Sequence, residues 1–233
     1  MNQIKNELAD FSFIEHVEYD YIRLPSYQPN DSRYNQQWFI PKIQSDHAWD
    51  FWDVNSGNIP GSKDVLLASV DTGVDWNHSD LIGNIWQNLG EDADGDGRTL
   101  EFINGQWVFD PDDLNNVDDD NWDNNASTYI DDLIGWDVSG SDYGDNNAIP
   151  PSSWGWSHGT HVAGLLSATT NNNTGIASTA FNCSILPVKS SSDTETITDG
   201  YAGLLYAAQA GYHSDCLLYT SPSPRDRQKS RMP

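Results

Sequence analysis

Cysteine and positive charge are what this sequence has least of. Two of its 233 residues are cysteine, and eleven are lysine or arginine against 35 aspartate or glutamate, a net charge of −24. So large an acidic excess excludes nucleic acid and an anionic membrane as partners, since both need a basic face. It suits a secreted, highly soluble protein or one that binds cations. Of the two cysteines, Cys216 falls in a tail of different composition, which leaves Cys183 alone and no internal disulfide to form. Cys183 sits in "NCSILPV", a run expected to be a core strand, where a thiol is inert. No apolar run reaches the length of a membrane span. The opening "MNQIKNELADFSFIEHVEYDYIRLPS" has no signal-peptide core either. Hydrophobic residues make up 37% of the chain and include ten tryptophans, enough for a sizeable core.

The tail "CLLYTSPSPRDRQKSRMP" holds four of the eleven basic residues, Arg225, Arg227, Lys229 and Arg231. Back-translated, it fits the codons of a transposase-type sequencing adapter. Residues 216–233 are therefore expected to be non-native and are set aside from the fold, as a cloning scar would be. The chain without them has seven basic and 34 acidic residues, a net of −27.

Periodicity divides the rest. "FIEHVEYDYIRL" alternates loosely, as a half-buried strand does, and "SYQPNDSRYNQQ" reads as an exposed linker. "IPKIQSDHAWDFW" predicts a short helix capped by Ser45. "DVLLASVDTG" is a continuous apolar run, the mark of a fully buried parallel strand. Residues 91–145 carry 17 acidic residues and one basic one, Arg98, and are expected to be irregular over most of their length. Order returns with "HGTHVAGLLSA" as helix, "CSILPVKS" as strand and "ITDGYAGLLYAAQAG" as helix. Strand–helix alternation of this kind predicts an α/β domain with a mostly parallel sheet flanked by helices.

Two stretches carry chemistry. Asp71 leaves the buried run at its carboxyl end, where ligands gather in parallel sheets. Alone it is also consistent with a simple cap. His158 opens an apparent helix, with Gly159 and Thr160 leaving room beside its ring. In a serine hydrolase a histidine takes the hydroxyl proton and returns it to the leaving amine, while a buried carboxylate holds its other nitrogen. Asp71 and His158 could supply that pair. Zinc could instead use His158 and His161 with an upstream aspartate, although no third histidine or glutamate accompanies them as in H-E-x-x-H. A purely structural pair of histidines is the third reading.

Both stretches, "VLLASVDTGVDWNHSDL" and "SHGTHVAGLLSA", resemble the Asp and His motifs of the subtilisin-like serine proteases, and in that family's order. The weaker "TGIASTAFNCSILPVKS" and "GLLYAAQAGY" follow in the expected sequence, so the resemblance spans roughly Asn30 to Gly211. It implies a subtilisin-like fold in which Asp71 orients the general base His158, and His161 packs or hydrogen-bonds behind the site. It also implies a nucleophilic serine and an oxyanion-hole asparagine downstream, and a substrate-pairing strand soon after Gly211. The domain is thus expected to be truncated and, as it stands, inactive.

The long acidic insert, 91–145, departs from the compact family pattern. "EDADGDGRTLEF" matches the start of an EF-hand-like loop, with Asp92, Asp94 and Asp96 at alternate positions, though Ile103 stands where the closing glutamate belongs. "VDDDNWDNNASTYIDDLIGWD" resembles the acidic calcium segments of some larger subtilases. Asp118, Asp120, Asp131 and Asp132 are its candidate ligands, and calcium the expected cofactor; a solvated loop without an ion is the plain alternative. "FIEHVEYDYIRLPS" looks like the end of a propeptide, which would be an intramolecular inhibitor, and "PNDSRYNQQWFIPKIQSDHAWD" like the start of the mature enzyme. The expected organisation is a propeptide remnant at 1–26, a partial catalytic domain at 27–215 and the foreign tail at 216–233. The expected function is that of a secreted endopeptidase acting on proteins or peptides by acyl-enzyme chemistry. The rival is a non-catalytic calcium-binding scaffold or adhesion protein on a degenerate protease fold.

Overall fold

A computed structural model describes residues 27–120, 129–140, 144–151, 157–192, 196–213 and 217–219. The candidate propeptide, 1–26, lies outside the described residues, as does most of the tail. Among the described residues four parallel strands form the main sheet, in the order β4-β5-β1-β6. β1 is Leu66–Asp71, β4 Trp136–Asp137, β5 Ser184–Lys189 and β6 Leu217–Tyr219. β1 and β5 share the same burial, five buried residues and then a half-buried one, as their unbroken apolar runs predict. Pairing runs from Leu66 with Ser184 to Asp71 with Lys189, so Asp71 emerges at the carboxyl edge of the sheet. β6 lies on the other side of β1, with Leu217 opposite Leu66. Leu217–Tyr219, from the stretch set aside as foreign, thus pair along one edge of β1.

Four α-helices among the described residues accompany the sheet: α1, Phe39–Ile43; α2, Ser45–Trp49; α3, His158–Ser167; and α4, Gly200–His213. One core cluster joins Leu66, Ala68, Val70, Leu186 and Val188 of β1 and β5 to Tyr206, Ala207 and Ala210 of α4. A second joins Ile185 of β5 and Ala163 of α3 to Val74, Trp76, Leu81, Leu100, Leu133 and Ile134. The α/β class and the parallel sheet follow the sequence pattern.

Two local expectations need correction. Ser45 does not cap a single helix: Gln44, in the left-handed region at φ 59°, separates α1 from α2, and Ser45 is the first residue of the second. The stretch 26–37 is not an exposed linker throughout. Asp31 is 5% exposed and its carboxylate accepts from the Asn171 amide, while Gln37 is buried and bridges both backbone groups of Ala177. These two polar residues are buried and hydrogen-bonded while most of their polar neighbours are exposed, a distinction that composition cannot make.

The acidic insert is irregular over most of its described residues, as expected, with one regular feature of any length. It contains an antiparallel hairpin, β2 Leu100–Ile103 with β3 Gln106–Phe109. Asn104 and Gly105, at φ 52° and 86°, form the tight turn that Asn-Gly favours because both positions need positive φ. Leu100, Leu133 and Ile134 reach the second core cluster, and Trp136 places β4 on the sheet. Lys189 and Asp137 pair at the ends of β5 and β4. The insert thus borrows the domain's core instead of building one.

Candidate active site

The site forms where β1 ends and α3 begins. Asp71 Oδ1 lies 2.7 Å from His158 Nδ1. An ionised carboxylate only accepts, so the contact calls for the proton on Nδ1, which in a neutral ring leaves the lone pair on Nε2. The same Oδ1 also accepts from the Thr72 amide at 2.7 Å, which fixes the carboxylate relative to its own backbone. The two partners differ in exposure. The Asp71 side chain is 13% exposed and that of His158 is 68%, so the carboxylate is shielded while the far edge of the ring faces outward. Such a pair can take a proton at Nε2 and hold the resulting imidazolium.

Glycine makes the close approach possible. A Cβ on Gly159 would lie 2.2 Å from the Gly73 carbonyl oxygen and 3.0 Å from Asp71 Cβ. Gly159→Ala should therefore force α3 away from the β1 turn and cost about 1–3 kcal/mol, the usual range for overpacking. Urea unfolding would measure it, and an unchanged midpoint would show that the turn yields freely.

His161 does not pack behind the site. It is exposed, on the wall of a cavity of about 690 Å³ that it shares with His78 and Arg33. Cys183 is free and buried, as expected of an inert thiol.

The acidic candidates divide. Asp92, Asp94 and Asp96 bring carboxylate oxygens within 4.8 Å of one another. Asp120 and Asp132 converge in the same way with Glu91, a residue absent from the sequence expectation. Asp118 and Asp131 join neither group among the described residues; the Asp131 carboxylate accepts from the Asn115 and Asn116 amides instead. Within the second group, Tyr206 of α4 donates to Asp132 at 2.7 Å, and Asn88 donates to both Asp132 and Asp120. Glu91 is fully buried, and burial pushes its carboxyl up to about 7. Its Oε1 accepts two backbone amides, yet Oε2 has no hydrogen-bond partner. Burial likewise raises Asp132 well above the ordinary range. Nothing in the spacing of the sequence points to Tyr206 or Asn88. Glu91 had a signal, since it directly precedes the Asp-x-Asp-x-Asp-Gly run.

Residues 62–214, which contain both Asp71 and His158, match the family model described as the subtilase family. The chain belongs to the subtilase family. Its relatives include an extracellular protease of Xanthomonas campestris pv. campestris, 30% identical over 190 residues. That alignment takes in 80% of this chain and 27% of the relative. Thermitase of Thermoactinomyces vulgaris is 31% identical over 188 residues, 79% of this chain and 45% of its own. A solved structure described as proteases from Pseudoalteromonas arctica aligns with 77% of this chain and 44% of that one, at 27% identity and a TM-score of 0.40. This subtilase chain thus spans less than half the length of these relatives. Among its described residues no helix is long and apolar enough to cross a membrane.

Proposed function

We propose that this chain carries the Asp–His half of a secreted serine endopeptidase that cleaves proteins or peptides. The observation that carries the reading is the 2.7 Å contact between a shielded Asp71 and an outward-facing His158. Nε2 would take the proton of a serine hydroxyl as it attacks the peptide carbonyl, and return it to the leaving amine. Water would then hydrolyse the acyl-enzyme by the same route. That serine is assigned to sequence downstream of Gly211, in keeping with the Asp, His, Ser order of the family's motifs. The word "extracellular" in the names of the Xanthomonas relative and of one from Dichelobacter nodosus supports secretion.

A serine-directed phosphonate tests the reading. It should leave the 233-residue chain unlabelled, and label a single serine in the polypeptide whose gene continues past Gly211. His158→Ala should abolish that labelling. Labelling of any serine within 1–215 would refute the assignment.

Residues 1–26 are assigned to a propeptide that inhibits the enzyme intramolecularly. Asn30 and Asp31 already bond to the loop at Asn171 and Asn173, so the cut should fall between Leu24 and Asn30. N-terminal sequencing of the mature enzyme reads it directly, and a start before residue 20 would refute the propeptide.

Calcium is the cofactor that fits the insert. The all-oxygen donor set suits a hard cation, and an ion among Glu91, Asp120 and Asp132 would supply the partner that buried Oε2 of Glu91 lacks. The Asp92–Asp96 loop suits an ion less well. Arg98 pairs with Asp96 at 2.8 Å and Glu101 at 2.7 Å, and the Asp92 oxygens already accept the Gly95, Asp96 and Gly97 amides. When bound, the ion would neutralise carboxylates that burial otherwise disfavours as anions.

A further inference from the structure

We propose that Thr72 and Thr160 are positioning residues that set the Asp71–His158 contact. The inference rests on the reading of that pair as catalytic. Both threonines act on the segments that carry the two partners, not on the reacting edge of the ring.

The first turn of any helix has amides without intrahelical acceptors, which a capping side chain often satisfies. Ser157, at the N-cap of α3, makes no side-chain cap bond. The amide of Gly159, in that first turn, donates instead to Thr72 Oγ1 on the β1 turn, at 3.1 Å. The reverse bond also exists: the Asp75 amide, on the segment after β1, donates to Thr160 Oγ1 of α3 at 2.9 Å. Each segment lends a hydroxyl to an amide of the other. Two such crossed bonds constrain both the rotation and the slide of α3 against the turn, which one bond alone would not.

This matters because, among the described residues, the His158 ring has little else to hold it. It is 68% exposed, and among the described residues Asp71 is its hydrogen-bond partner. Thr72 acts on both sides of the contact, since its amide fixes Asp71 Oδ1 while its hydroxyl fixes the helix. Thr72 is itself 4% exposed, so its hydroxyl does not trade this bond freely with water.

The test reads the tautomer of His158 in the full chain and needs no turnover. Asp71 accepting from Nδ1 favours the Nδ1–H form, the minor one in a free imidazole. Long-range proton–nitrogen correlation of ring-labelled protein, in alkaline buffer, gives the ratio of the two forms, with His158→Gln assigning the signal. Wild type should hold mainly Nδ1–H. Thr72→Val and Thr160→Val should each lower the ratio of Nδ1–H to Nε2–H by about 3- to 10-fold, the weight of one net hydrogen bond. Thr72→Ser and Thr160→Ser, which keep the hydroxyl, should restore it. Ser167→Ala is the control. Its hydroxyl donates to the Cys183 carbonyl at 2.6 Å from the far end of α3, so its loss should lower stability but leave the ratio unchanged. Near-ultraviolet circular dichroism checks folding, and an alanine variant is read where valine does not fold. A wild-type ring in the Nε2–H form would overturn the catalytic pair, and this inference with it. A wild-type ring as expected, with valine variants unchanged or Ser167→Ala equally perturbed, would overturn the positioning role alone.

Discussion

Asp71→Ala in the serine-bearing enzyme should lower kcat by about 10⁴-fold while leaving KM within a few-fold of wild type. The magnitude is that of losing the orienting aspartate in a subtilisin, a member of the same family. The split between kcat and KM follows from position. Asp71 is 13% exposed behind the His158 ring, so it contacts the imidazole and lies away from where a peptide would bind. Its removal leaves the ring free to take its commoner tautomer and withdraws the charge that stabilises the imidazolium. Asp71→Asn should be informative beside it. The oxygen at the Oδ1 position is held by the Thr72 amide, so an asparagine can keep its carbonyl there and still accept from Nδ1. The asparagine variant would then lose chiefly the charge, and should retain more activity than the alanine variant. Steady-state kinetics on both would decide it. A loss below tenfold for Asp71→Ala would mean that His158 does not depend on this carboxylate.

Chelating calcium should lower the melting temperature of the chain by roughly 5–11 °C. An ion that binds only the folded state stabilises it by RT ln(1 + [L]/Kd), about 2.7 kcal/mol at a hundred times Kd. Domains of this size shift by roughly 2–4 °C per kcal/mol. The chelated insert should also become open to proteolysis between residues 92 and 120. Its packing depends on Glu91, Asp120 and Asp132 sharing one locus, and unscreened carboxylates there repel. Glu91→Ala should abolish most of the calcium-dependent shift. Arg98→Ala, on the other acidic group, should leave it nearly intact, because that side chain is half exposed and its pairs are worth little. Equal melting temperatures and equal cleavage patterns with and without calcium would leave the acidic groups as a solvated surface.

Much of the reactive pair was legible in advance because its determinants are local. An apolar run ending in Asp-Thr-Gly makes a buried strand and fixes Asp71 at its carboxyl end, and the small residues after His158 allow a helix to start close by. The hairpin at Asn104–Gly105 was equally legible from its dipeptide, yet the acidic composition around it hid the signal. The exposure of His161 was not legible, because it depends on what faces that side of the helix, which is a tertiary fact.

The sequence by itself therefore determined the family, the strand and helix that bear Asp71 and His158, and the surplus of carboxylate that invites a cation. These depend on periodicity, motif order and composition, all of which act within a few residues. Only the tertiary structure decided which carboxylates meet. Glu91, Asp120 and Asp132 converge where Tyr206, 74 residues from Asp132 along the chain, donates to Asp132, and Asn88, 44 residues from it, donates to both Asp120 and Asp132. Likewise only the fold crossed Thr72 and Thr160 between segments 85 to 87 residues apart. Contacts of that span depend on how buried faces pack after loops have closed, and side-chain spacing carries no record of it.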